Sequence, residues 1–201
     1  MKPISNEDIT VVILAGGKGR RMGGKDKGLL NFKDSALIQH VIEAVSRQSR
    51  QIMINANRNL DQYAAFGYPV IQDQSTDFQG PLAGFYSAML AATTDYILTL
   101  PCDGPIIVDD YLAKMRQALN DSGADIIVAS DGERMQPVYA LIPRALQSSL
   151  AEFLSAGERK IDIWYSRHNV ALADFSDVRE RFFNINTQAD QRRLDDERPA
   201  S

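Results

Sequence analysis

The chain has 201 residues, a formal net charge of −4, one cysteine and two histidines. This length suits one α/β domain with a full core, and the acidic net charge argues against nucleic acid and membrane surfaces as partners. The single cysteine, Cys102, excludes an intramolecular disulfide, and so few histidines make a Cys/His zinc site implausible. The N-terminal segment lacks the apolar stretch of a signal peptide, so we expect a cytoplasmic protein.

The first predicted strand leads into a loop rich in glycine and basic residues. Val11–Leu14 is an apolar run typical of a parallel strand that is covered on both faces. Gly16, Gly17 and Gly19 then let a ligand approach the main chain closely. Basic residues follow at Lys18, Arg20, Arg21, Lys25 and Lys27. An ordinary turn with solvated charges is the alternative, but glycines and cations directly after a buried strand favour a polyphosphate site.

Two common phosphate motifs do not fit this loop. The dinucleotide pattern G-x-G-x-x-G fails at Met22, where the third glycine would stand. The P-loop pattern fails at Asp26, where a Ser or Thr would bind magnesium. The loop is therefore expected to belong to another class of nucleotide site.

Strands and helices alternate through the first half of the sequence. Short strands are predicted at Leu29–Phe32, Ile52–Ile54, Val70–Ile71 and Tyr96–Leu100. Helices are predicted from a cap at Asp34 or Ser35 to about Arg47, in a short segment ending at Phe66, and from Pro81 to Thr93. This order predicts a three-layer, Rossmann-like α/β fold, with a mostly parallel sheet and helices on both faces. Ligands gather at the carboxyl ends of such strands, where Gly16, Asn55, Asp73 and Asp103 are expected.

The second half is less regular. We expect a helix from about Asp109 to Leu119, a helix containing Leu146–Leu154, and a short amphipathic segment at Ile161–Trp164. Strands Ile126–Ala129 and Gln136–Ile142 are expected to pair in antiparallel fashion through a turn at Gly132. A last helix is predicted to begin at Thr187. We expect one domain over residues 1–201, with a nucleotide-binding half at about 1–107, an acceptor-binding half at about 108–190, and a disordered tail at 192–201.

Several motifs together resemble those of one enzyme family. The segment LAGGKGRRMGGKDK is similar to the LAGG, RMG and Lys signature of nucleotidyltransferases. The later motifs NANR, the aspartate after VIQ, GPLAG, LPCDGP and FNINT are similar to those of the molybdenum cofactor guanylyltransferases (MobA). The motifs occur in the family's order from about Val12 to Thr187, which is nearly the whole chain. Gly104 and Gln188 depart from the family pattern beside its motifs.

The resemblance implies a reaction, a fold and a set of site residues. The family transfers GMP from GTP to the terminal phosphate of molybdenum-bearing molybdopterin, with Mg²⁺ as cofactor, on a fold like that of nucleotide-diphospho-sugar transferases. Arg21, Lys27 and Asp103 would be the catalytic residues, and Asp103 would also bind the metal. The residues that match the family's GTP site are Leu14, Ala15, Gly16, Gly17, Lys27, Asn55, Asp73 and Asp103. Lys27 matches the family's lysine better than Lys25 does.

The acceptor side of the site is less sharply marked. Asn184 and Asn186 match a motif associated with the second substrate, and Arg159 and Lys160 could bind its phosphate. Trp164 could stack on the pterin ring or cover the core. The family resemblance also implies proteins that deliver the molybdenum cofactor or accept the product.

Two other functions remain open from the sequence. A molybdenum cofactor cytidylyltransferase would share the fold and the chemistry, although that family usually has LAAG, and Gly17 leaves room for a purine. A regulatory module that binds GTP without turnover belongs to a different class. Magnesium-dependent release of pyrophosphate distinguishes this module from an enzyme.

Overall fold

One seven-stranded sheet organises the structure, which is a computed structural model describing residues 3–16, 26–74, 80–104 and 107–182. The strands of this sheet are β1 (Ile9–Leu14), β4 (Ile52–Asn55), β5 (Val70–Ile71), β6 (Tyr96–Pro101), β7 (Ile126–Ser130), β8 (Met135–Pro143) and β9 (Val170–Asp174). A separate two-stranded ribbon is formed by β2 (Asn31–Phe32) and β3 (Ser35–Ala36). The ribbon follows the loop that leaves β1.

The strand order of the sheet is β5-β4-β1-β6-β8-β7-β9. Strand β8 runs antiparallel to both β6 and β7, and the other neighbours are parallel. The chain leaves β1 toward β4 and later returns to its other side as β6, so the order reverses between β1 and β6. Such a switch point opens a crevice at the carboxyl ends of the two strands.

Helices cover both faces of the sheet. The α-helices are α1 (Leu37–Ser46), α2 (Leu60–Ala64), α3 (Pro81–Ala91), α4 (Tyr111–Ser122), α5 (Gln147–Ser155) and α6 (Ile161–Tyr165). Short 3₁₀ segments lie at Asn6–Asp8, Lys27–Leu29, Arg144–Leu146 and Ser176–Arg181. Pro81 begins α3, where its missing N–H costs no helical hydrogen bond. Gly123 ends α4 with a φ of 63° in the left-handed region.

Two apolar cores lie on opposite faces of the sheet, because successive side chains of a strand point in opposite directions. Val11 and Ile13 of β1 belong to the core that packs against α1, α2 and α4. Val12, between them, belongs to the core that packs against α3, α5 and α6. The predicted three-layer α/β fold with a mostly parallel sheet is therefore confirmed.

Three local predictions differ from the structure. Helix α1 begins at Leu37 rather than beside Asp34, because Ser35 and Ala36 pair with Phe32 and Asn31 in the ribbon. The predicted strand Leu29–Phe32 is a 3₁₀ turn followed by the two residues of β2. Strand β9 was not predicted, since only Ala173 of its five residues is buried and the apolar signal is weak. The antiparallel pairing of β7 with β8 is confirmed.

The predictions for residues 183–201, including the helix from Thr187, lie outside the described residues. Within residues 3–16, 26–74, 80–104 and 107–182, no helix has the length and apolar character needed to cross a membrane.

Trp164, the only tryptophan of the chain, is a core residue. Its side chain is 0% exposed, and its Nε1 donates to Ser149 Oγ at 3.3 Å. The alternative that this ring stacks on a ligand is therefore wrong, because no face of the indole is open to one.

Replacing this indole is expected to destabilise the fold. Trp164→Ala should lower the free energy of unfolding by about 3–5 kcal/mol, because a large buried side chain is lost. Ile163→Ala, in the same helix but 37% exposed, should lower it by only about 1 kcal/mol, because less apolar surface is lost from the core. Urea unfolding followed by circular dichroism measures both, and equal losses would contradict the core assignment.

Candidate functional site

The centre of the candidate site is a contact between the end of the basic loop and the end of β6. Lys27 Nζ lies 3.1 Å from Asp103 Oδ2, and the two side chains are 27% and 14% exposed. Asp103 follows Pro101 and Cys102 at the carboxyl end of β6, next to the end of β1. An ion pair with this exposure is accessible to a ligand that enters the crevice.

A hydrogen-bonded network lies on the β4 side of the same crevice. Asn55, the last residue of β4, donates from Nδ2 to Asp73 Oδ1 at 2.9 Å. Asn57 donates from Nδ2 to Asp73 Oδ2 at 2.8 Å, and its Oδ1 accepts the backbone N–H of Asp73 at 2.8 Å. The structure therefore brings Asn55 and Asp73 together, as their positions after β4 and β5 predicted. Asn57 was not predicted, although it lies in the same NANR motif.

The backbone after β1 lies directly against this network. A β-carbon added to Gly16 would stand 3.1 Å from Asn57 Nδ2 and 3.3 Å from Asn55 Oδ1. On the other side, a β-carbon at Gly84 of α3 would stand 2.5 Å from Asn55 Oδ1 and 2.9 Å from Leu14 Cδ2. Asn55 is thus enclosed between β1 and α3, and Gly84 is needed for the close approach of the helix.

Asp26 forms a second polar cluster, which we call the Asp26 cluster and which consists of Asp26, Arg58, Asn59 and Tyr63. Tyr63 Oη donates to Asp26 Oδ1 at 2.6 Å, and Asn59 Nδ2 donates to Oδ2 at 3.0 Å. Arg58 Nε lies 3.8 Å from Oδ2. Sequence reasoning used Asp26 only to reject a P-loop, whereas its carboxylate is buried among donors on α2 and the turn before it.

Burial raises the pKa of one group in this cluster, Tyr63, and of one group beside it, Cys102. The pKa of the Cys102 thiol lies well above its usual value because of burial, and the charges of Asp103 and Asp26 raise it further. The pKa of Tyr63 is also raised, by burial and then by Cys102 and Asp26. Both groups therefore stay protonated at neutral pH. Cys102 is therefore a packed, buried thiol rather than a nucleophile.

Asp131 supplies a carboxylate at the end of β7, but it stabilises a turn. Its Oδ1 accepts the backbone N–H groups of Glu133 and Arg134, and Oδ2 accepts Gln136 Nε2 at 2.6 Å. Burial raises its pKa, but the hydrogen bonds from Arg134 and Gln136 outweigh that effect and leave the pKa lowered. The carboxylate therefore stays ionised and fastens the connection from β7 to β8.

The predicted acceptor-side residues differ in their surroundings. Arg159 donates from Nη1 to the carbonyls of Leu154 and Glu158 at 2.8 and 2.6 Å, at the end of α5. Lys160 is exposed beside it. Gly17, Arg21, Asn184 and Asn186 lie outside the described residues. The His40 ring contacts the β2–β3 ribbon, with Nε2 at 2.9 Å from both Ser35 Oγ and the Phe32 carbonyl oxygen.

The described part of the site offers oxygen ligands rather than a closed metal cage. Among residues 3–16, 26–74, 80–104 and 107–182, no group of three or more His, Cys, Asp or Glu side chains is placed to hold a metal. Asp103, a partly exposed carboxylate, is the type of ligand that Mg²⁺ uses when substrate phosphates and water complete its shell. This donor set fits a metal that arrives with a nucleotide.

Comparison with known proteins identifies the family to which the chain is similar. Residues 11–170 match the MobA-like NTP transferase domain. The molybdenum cofactor guanylyltransferase of Shewanella loihica is 48% identical over 92% of this chain and 95% of its own. The enzyme of the same name from Shewanella baltica is 47% identical over 94% of this chain and 96% of its own.

A solved structure supports the fold. Molybdopterin-guanine dinucleotide biosynthesis protein A from Archaeoglobus fulgidus superposes with a TM-score of 0.77, covering 93% of this chain and 97% of the other at 23% identity. The family match and the close relatives each span most of the sequence, including the crevice between β1 and β6. The chain therefore belongs to the MobA-like NTP transferases.

Proposed function

We propose that this chain transfers GMP from GTP to the terminal phosphate of molybdenum-bearing molybdopterin and releases pyrophosphate. Relatives with nearly half of their residues identical over most of the chain are named molybdenum cofactor guanylyltransferase. The observation that carries the proposal is the contact of Lys27 with Asp103 at the β1/β6 switch point, beside the Asn55–Asp73 network. A cation, a carboxylate and amide groups therefore lie together at the carboxyl edge of the sheet.

The proposed reaction needs charge compensation more than proton transfer. An oxygen of the acceptor phosphate forms a bond to the α-phosphorus of GTP, and the bond from that phosphorus to the bridging oxygen breaks. Pyrophosphate leaves with the electron pair. Because a phosphate monoester is already anionic near neutral pH, the attacking oxygen requires no general base. The main obstacle is the approach of two polyanions and the charge on the leaving group.

We propose that Lys27 and the backbone after β1 compensate this negative charge. Backbone groups of Leu14, Ala15, Gly16 and Gly17 would contact the nucleotide, and Arg21 and Lys27 would contact its phosphates. In the free protein the carboxylate of Asp103 compensates the positive charge of Lys27. A triphosphate offers the ammonium group a stronger anionic partner, so binding can draw it away from the carboxylate.

Asp103 would hold Mg²⁺ together with phosphate oxygens. When bound, the ion would supply additional positive charge at the phosphates. Asn55 and Asp73 would bind the nucleoside part, with Asn57 fixing the orientation of the carboxylate.

The acceptor would bind near the residues assigned to the second substrate. Lys160, which is exposed, would supply a positive charge for the acceptor's phosphate. Arg159, whose Nη1 binds the carbonyls at the end of α5, would add a second positive charge for that phosphate. Asn184 and Asn186 complete the proposed acceptor set.

Pyrophosphate release tests the proposal. With a molybdopterin-bearing acceptor, GTP should be turned over faster than CTP or ATP, and EDTA should abolish turnover until Mg²⁺ is added back. Asp103→Ala should lower the rate by roughly a hundredfold or more. A preference for CTP would indicate a cytidylyltransferase. Binding of GTP without any turnover would indicate a regulatory module instead.

Lys27 and Lys25 are expected to differ in how much they contribute to turnover. Lys27→Ala should lower kcat/KM by about 10²–10³-fold, the usual effect of removing one positioned charge from a transition state. Lys25→Ala serves as the neighbouring control and should have a clearly smaller effect. Steady-state kinetics with GTP measures both variants, and equal losses would refute the assignment of Lys27.

Gly84→Ala should weaken nucleotide binding. The new methyl group would overlap Asn55 Oδ1 and Leu14 Cδ2, and overpacking of this kind costs about 1–3 kcal/mol. If Asn55 turns away and loses one hydrogen bond to the nucleotide, KM for GTP should rise about tenfold. Thermal unfolding measured in parallel separates the two effects. A lower melting temperature with an unchanged KM would show that Asn55 does not contact GTP.

A further inference from the structure

We propose that Tyr63, through Asp26, is a positioning residue for Lys27. This inference rests on the proposed role of Lys27 in the reaction. Tyr63 lies in α2 and is 0% exposed, so it does not itself meet a substrate. Its hydroxyl instead binds the carboxylate of the residue that precedes Lys27 in the chain.

The Asp26 cluster fixes the chain on the N-terminal side of Lys27. The Tyr63–Asp26 hydrogen bond measures 2.6 Å, which lies at the short end of the range for O–H···O hydrogen bonds. Asn59 donates to the other oxygen, and Arg58 adds a positive charge. The Asp26 side chain is only 6% exposed. A buried carboxylate with these donors resists displacement, because moving it would leave its charge unsolvated.

The same tyrosine also limits the chain on the C-terminal side of Lys27. A β-carbon at Gly28 would stand 2.6 Å from Tyr63 Oη and 3.2 Å from Cys102 Sγ. Gly28 therefore passes between α2 and the end of β6 with no room for a side chain. Both neighbours of Lys27 are thus fixed against Tyr63, one by a hydrogen bond and the other by packing.

Fixing the backbone on both sides determines where the lysine side chain can reach. Lysine has a flexible four-carbon stem, and ordering that stem at a phosphate costs side-chain entropy. With its neighbours fixed, the Lys27 backbone has one position and its Nζ lies at Asp103. Reacting groups must be placed to within a fraction of an ångström, since a shift of about 1 Å can cost a hundredfold in rate. Loosening the Asp26 cluster should therefore act on turnover through Lys27.

The decisive experiment is a double-mutant cycle of Tyr63→Phe and Lys27→Ala. Tyr63→Phe keeps the buried ring and removes only the hydroxyl. In the otherwise unchanged protein it should lower kcat by about tenfold or more, with a smaller effect on KM for GTP. In the Lys27→Ala background the same substitution should change kcat less than about twofold, because the group that it positions is absent.

Two further variants separate positioning from stability. Tyr165→Phe is the matched control, since Tyr165 is also buried and donates to the Pro137 carbonyl at 2.8 Å, but it belongs to the core on the other face of the sheet. It should lower the melting temperature about as much as Tyr63→Phe and leave kcat unchanged. Asn59→Gly removes a second donor to Asp26 at a residue whose φ of 51° suits glycine, and it should lower kcat in the same direction as Tyr63→Phe.

Each outcome decides one of the two proposals. If Lys27→Ala alone leaves turnover unchanged, the proposed role of Lys27 is wrong. If Lys27→Ala impairs turnover and Tyr63→Phe lowers kcat by the same factor in both backgrounds, Tyr63 contributes independently of Lys27 and the positioning role is overturned. If Tyr165→Phe lowers kcat as much as Tyr63→Phe does, the effect of Tyr63→Phe comes from lost stability and the positioning role is also overturned.

Discussion

The parallel pairing of β1 with β6 is the constraint on which the candidate site depends. Leu14 lies opposite Pro101 in the register, and the backbone N–H of Cys102 donates to the Leu14 carbonyl at 3.1 Å. This contact extends the pairing one residue beyond the end of β6. Gly16 and Asp103 consequently leave the sheet at one point, although 87 positions separate them in the chain. The basic loop then needs only to return Lys27 to this point to form the ion pair.

The turn after β4 links the two sides of the crevice. Asn55 at the end of β4 and Asn57 at the start of the turn bind Asp73, whereas Arg58 and Asn59 bind Asp26. One short segment thus fixes the carboxylate assigned to the nucleoside and the carboxylate that precedes Lys27. A shift of this turn would therefore move both sides of the crevice together.

The sequence predicted the parts of the molecule that depend on local pattern. Val11–Leu14 is apolar without a break, so the strand and its buried position could be read directly, and polar residues just after strands marked the site edge. The Asp26 cluster could not be predicted, because Tyr63 lies 37 positions away and its hydroxyl has no sequence signature. The role of Trp164 was also ambiguous from the sequence, because an indole can either pack in a core or stack on a ligand. Its burial in the structure decides for the core.

The environments of the three carboxylates suggest how a site can be both stable and reactive. Asp26 is buried among donors, and Asp73 accepts hydrogen bonds from two asparagine amides. Asp103 is partly exposed and faces Lys27, the cation that we assign to the phosphates of GTP. The first carboxylate gains most of its stability from fixed partners and resists change. The third has a partly exposed partner that an incoming ligand can reach. The carboxylate that we assign to the chemistry is therefore the one whose cation is open to a ligand.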